Sequence, residues 1–68
     1  MMKIRDLPED IRKELTSLGL RLTDEQSISD ALTAITLAIY LEGVRRDHSP
    51  EREKRLVECY FTLRKYKN

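Results

Sequence analysis

The feature that most constrains this chain is its stretch from Ile28 to Val44. Eleven of its 17 residues are apolar, and its only charges are Asp30 and Glu42. The spacing predicts a helix with two apolar sides. Ile28, Leu32, Ile35 and Ile39 recur at helical spacing as one stripe. Leu37, Leu41 and Val44, flanked by Tyr40, fall on the opposite side. Ala31, Ala34 and Ala38 join the two along one flank. Only a narrow strip of small residues, Ser29, Thr33, Thr36 and Gly43, is polar. A helix that is apolar nearly all round has to be covered nearly all round.

The rest of the chain offers little to cover it. With 68 residues there is room for one domain spanning residues 1–68 and one modest core. No long repeat and no linker is visible. The longest uncharged run, Ala31 to Leu41, has eleven residues. A membrane span takes about 20, so no membrane partner is expected. A single cysteine, Cys59, leaves no internal disulfide and suits a reducing, cytoplasmic setting. The formal net charge of +1 gives no overall pull toward nucleic acid or anionic lipid.

Punctuation on either side predicts an all-α domain of three helices. A first helix is expected over Pro8–Leu18, with Pro8 in the first turn and Asp6 and Glu9 forming a capping box. Ile11, Leu15 and Leu18 make its single apolar stripe. Gly19 is placed to end it in a left-handed conformation, with Leu20 reaching back toward Leu15. The central helix has two candidate starts, at Thr23 and at Ser27, and the pattern does not choose between them. Residues 45–55 carry eight charges and no apolar side chain, so they form a loop and a solvated first turn. Ser49 and Pro50 begin a third helix, expected to reach Tyr66, with Leu56, Cys59, Tyr60, Leu63 and Tyr66 on one face. At the N-terminus Met2 and Ile4 alternate with Lys3 and Arg5. That predicts a short extended or strand-like arm with no partner strand inside the chain.

The catalytic and metal-binding possibilities are thin. His48 is the only histidine and sits in the charged loop as an exposed pre-cap residue. Cys59 is expected to be a small buried hydrophobe. One His and one Cys cannot fill a four-ligand metal site. The carboxylate pairs Glu9/Asp10 and Asp24/Glu25 are placed as helix starts require. Gly19 and Gly43 stand alone, so there is no phosphate-binding glycine loop. No cofactor and no enzymatic activity are expected. The cluster Arg45, Arg46, Arg52, Lys54 and Arg55 is interleaved with acids and is expected to be a solvated helix surface.

The mismatch between the central helix and its short neighbours therefore decides the functional expectation. A second copy of the chain is the simplest cover, and a homodimer follows. The candidate contact residues are Ala31, Ala34, Leu37, Ala38, Leu41 and Val44, together with Tyr60, Phe61 and Tyr66. The leading expectation is a small adaptor or regulator acting through contacts with another protein.

One further signal is Ile4-Arg5-Asp6-Leu7-Pro8-Glu9-Asp10-Ile11-Arg12-Lys13-Glu14-Leu15. It resembles the opening of ribbon-helix-helix proteins of the antitoxin and repressor type, over residues 2–42. The resemblance implies a dimer that pairs its N-terminal strands and lays them in the major groove of double-stranded DNA. Lys3 and Arg5 would then meet DNA, and the start of the second helix, near Ser27 and Ser29, would hold a phosphate. Asp6, the long segment Gly19–Gln26 and the third helix depart from that pattern.

Overall fold

A computed structural model describes residues 2–67. Three helices carry the fold: α1 over Glu9–Ser17, α2 over Ile28–Val44 and α3 over Pro50–Arg64. Among the described residues there is no strand, and the all-α architecture expected from the sequence is the one observed. The molecule is elongated, 37 × 19 × 19 Å.

Local chemistry explains each boundary. α1 ends in the expected Schellman turn. The Gly19 N–H donates to the Thr16 carbonyl and the Leu20 N–H to the Leu15 carbonyl. Gly19 lies at φ +79°, a backbone region that side chains disfavour. The start of α1 differs from expectation. Its N-cap is Pro8, without a side-chain cap. Asp6 turns back instead and accepts the backbone N–H of Lys3 at 3.0 Å. Ser27 wins as the start of α2, its hydroxyl accepting the Asp30 N–H. The Thr23 candidate becomes a turn, in which the Thr23 N–H donates to Gln26 Oε1 at 2.7 Å. Ser49 caps α3 by accepting the Arg52 N–H, with Pro50 next to it.

The expected extended arm is mostly a 3-10 turn over Ile4–Asp6. A single antiparallel bridge joins Lys3 to Ser27. The Ile4 and Arg5 N–H groups donate to the Gln26 and Asp24 carbonyls. The lead-in thus finds backbone partners in the α1–α2 connection of its own chain. This fold-back buries Ile4 and Leu7, two apolar side chains that an extended arm would leave wet.

α3 packs along α2, joined to it by residues 45–49. α1 lies against α3, with Glu14 and Leu18 meeting the first turns of α3. The core is Leu15 from α1 and Leu18 at its C-terminal cap, Ile28, Ala31, Leu32 and Ile35 from α2, and Leu56, Cys59 and Leu63 from α3, closed by Ile4 and Leu7.

Candidate interaction surface

The two apolar sides of α2 meet different fates. The stripe Ile28, Ala31, Leu32 and Ile35 is buried, with Ala38 and Ile39 packed against the same cluster. The opposite stripe is not covered by any of the described residues. Leu37, Tyr40, Leu41 and Val44 are 58, 66, 49 and 63% exposed. Four large apolar side chains on consecutive turns of one face form a continuous patch, unlike the scattered exposed hydrophobes of an ordinary surface.

The patch continues onto α3. A shallow groove of about 480 Å³ runs between the helices, lined by Thr33, Leu37 and Tyr40 on one side and Tyr60 and Lys67 on the other. Phe61, 55% exposed, stands edge-on to Tyr60 with ring centroids 5.5 Å apart. Two of the hydroxyls that line the groove are already satisfied within α2. Thr33 and Thr36 donate their hydroxyls to the Ser29 and Leu32 carbonyls at 3.1 and 2.9 Å. Their methyl groups remain free to pack, and these two hydroxyls lose no hydrogen bond when water leaves.

Glu42 explains why the stripe is uncharged. It is one of only two charges in the apolar stretch, yet it is 1% exposed. Its position continues the inner stripe by one turn after Ile35 and Ile39, which is the signal that could have revealed it. The Ser49 N–H donates to Glu42 Oε2 at 2.7 Å, and Arg52 Nη1 donates to Oε1 at 3.0 Å. Arg45 adds a longer contact at 3.5 Å. These contacts, led by the Ser49 backbone hydrogen bond and opposed by burial, hold the Glu42 carboxyl below its usual range. Arg52 also donates through Nη2 to the Leu18 carbonyl at the end of α1. One guanidinium therefore ties all three helices.

Arg52 thus departs from the solvated surface expected of the basic cluster, while Arg55 stays exposed and reaches across to α1. Arg55 donates to both carboxylate oxygens of Glu14, at 3.0 and 3.2 Å, and to the Ser17 hydroxyl. Arg55 is spaced for a local i,i+4 pair with Glu51 equally well, so its longer reach to Glu14 is hidden in the sequence.

The remaining candidates are distributed as follows. Ala31 is fully buried in its own core and offers nothing to a partner. Ala34 and Ala38 are half-buried, as are Tyr60 and Tyr66, which pack against the core. Lys3 and Arg5 are both held by Glu25, with Lys3 Nζ 2.8 Å from Oε1. Ser27 is engaged as the α2 cap, and Ser29 is exposed beside the acidic Asp30. His48 Nε2 lies 3.3 Å from Glu53 Oε1. Burial pushes the Cys59 thiol up from its ordinary pKa, with the Glu14 charge acting in the same direction. Among the described residues no cluster of His, Cys, Asp or Glu could hold a metal, and no helix is long and apolar enough to cross a membrane.

No protein-family model, characterised protein or solved structure matches this chain.

Proposed function

We propose that this chain is a non-enzymatic, cytoplasmic interaction protein, a three-helix adaptor or regulator that works as a homodimer through the outer stripe of α2. One observation supports this reading above the others. An uncharged apolar stripe on α2, its neighbouring threonine hydroxyls already satisfied, stands exposed while its own chain fills the other side. Leu37, Tyr40, Leu41 and Val44 together leave on the order of 400 Å² of apolar surface per chain in water. Two such faces give roughly 800 Å², and the flanking Ala34, Thr33 and Tyr60 bring the pair toward the roughly 1,200–2,000 Å² of stable interfaces.

The ribbon-helix-helix reading has less support. It needs Lys3 and Arg5 free of Glu25 and residues 2–6 free of the backbone of residues 24–27, which hold them in the single chain. A dimeric DNA-binding regulator would show binding that weakens steeply with salt and vanishes on Arg5→Glu.

The test of the interaction reading is Leu41→Glu, measured by light scattering behind size exclusion. The variant is expected to keep its helical circular dichroism and run at the mass of one chain, where the unaltered protein runs as two. A variant that still runs as two chains would refute the proposed surface.

A further inference from the structure

A cleft of about 390 Å³ opens where the folded-back lead-in meets α1 and the α1–α2 connection. Three segments build its apolar floor. The lead-in supplies Ile4, α1 supplies Leu15, and the connection supplies Leu20 and Leu22. Ile4 and Leu15 are buried, and the two connection leucines pack against the same core. The rim is charged. Glu9 and Lys13 pair with each other at 3.4 Å, both well exposed. Arg12 and Asp24 complete the charged lining.

Arg12 stands apart from the other arginines. Arg5, Arg45, Arg52 and Arg55 are each held by a carboxylate. Arg21, Arg46 and Arg64 have no ion pair among the described residues, but they are exposed to water. Arg12 is half-buried and has no carboxylate among the described residues either. Its Nε donates to the Leu7 carbonyl at 3.2 Å. That bond fixes one edge of the guanidinium. Nη1 and Nη2 make no hydrogen bond among the described residues, so the end of the side chain is a free two-pronged donor. Such a fork matches the two oxygens of a carboxylate, and partial burial makes the pairing worth more than it is on an open surface.

We infer that this cleft binds a small apolar monocarboxylate, its two oxygens on the Arg12 fork and its hydrocarbon body over Ile4, Leu15, Leu20 and Leu22. Charge complementarity selects the head group and the aliphatic floor selects the body. The volume falls within the roughly 300–1,000 Å³ of small-molecule sites, and an apolar lining with few polar groups is their usual make-up. Asp24 sets the limit on charge. It makes no ion pair among the described residues and lines the same cleft. A second carboxylate on the ligand would meet its like charge, so dicarboxylates are rejected. The cleft shares no residue with the outer stripe of α2, and its occupancy does not depend on the homodimer proposed above.

The test is a titration of the full-length protein with isocaproate, followed by the methyl signals in nuclear magnetic resonance. Saturable shifts are expected at Ile4, Leu15, Leu20 and Leu22, with Leu37, Leu41 and Val44 unmoved. Arg12→Gln should keep the helical circular dichroism and raise the dissociation constant at least about tenfold. Asp24→Asn removes the like charge and should lower it. Isohexanol, the same body without the carboxylate, should bind no better to the unaltered protein than isocaproate binds to Arg12→Gln. Adipate, with its second carboxylate, should bind more weakly than isocaproate. Shifts confined to Leu37, Leu41 and Val44 would overturn the inference, because the acid would then be adhering to the exposed stripe. So would equal binding of acid and alcohol, an unchanged affinity in folded Arg12→Gln, or no saturable shift at all. None of these results bears on whether the chain dimerises.

Discussion

Ile35→Ala and Leu37→Ala alter two residues that are adjacent but one in the sequence, and the account assigns them opposite roles. Ile35 is fully buried against the core. Truncating it removes three carbons from a closed interior and leaves a cavity, a change that costs about 2–5 kcal/mol. A domain of this length has a total stability of roughly 3–10 kcal/mol. A loss of about 3 kcal/mol would lower its melting midpoint by roughly 12–24 °C. Leu37 is more than half exposed, and leucine and alanine differ little in helix propensity. Within one chain its truncation should cost less than about 1 kcal/mol. The assay is urea unfolding followed by far-ultraviolet circular dichroism, run dilute enough that each protein is a single chain. Dilution matters because dimer formation would add stability to the unaltered protein that Leu37→Ala lacks. Equal losses for the two variants, or a loss below about 1 kcal/mol for Ile35→Ala, would refute the division of α2 into a covered and an open side.

Two further predictions follow from the interior. The Glu42 carboxyl titrates below its ordinary pKa because the folded chain stabilises its charged form. Its contribution to stability is therefore present above the unfolded-state pKa near 4.5 and is lost as pH falls through the lower folded-state value. Glu42→Gln should flatten that part of the stability–pH curve, a change read by denaturant midpoints across the acid range. Cys59 is buried with its thiol pKa raised. It should react slowly with a thiol reagent at neutral pH in the folded protein, and rapid native-state labelling would contradict the packing of α3 against α1.

Much of this fold was legible because its signals are local. Gly19 is the only residue that could close α1 in a left-handed turn at low cost, and Ser49-Pro50 could hardly be anything but a helix start. The periodicity of α2 revealed both of its faces. Features built from long-range polar contacts were not legible. Glu42 falls in register with Ile35 and Ile39, but Arg52 is one charge among many in residues 45–55, and nothing near either says that they pair. The lead-in misled for a related reason. Alternation at Met2–Arg5 is too short to distinguish a strand from a turn, and the decisive hydrogen bonds go to Asp24 and Gln26, far along the chain. Of the candidate contact residues, Leu37, Leu41, Val44 and Phe61 lie open in the single chain. Ala31 does not, because a small residue that permits a close approach serves the chain's own core as readily as a partner.

The central claim is that the outer stripe of α2 is a surface made to be covered. Sedimentation equilibrium of the unaltered chain across a hundredfold range of concentration tests it most directly. The account predicts a reversible rise from the mass of one 8.0 kDa chain to that of two, with no larger species. A single-chain mass at every concentration, with the protein folded throughout, would contradict it.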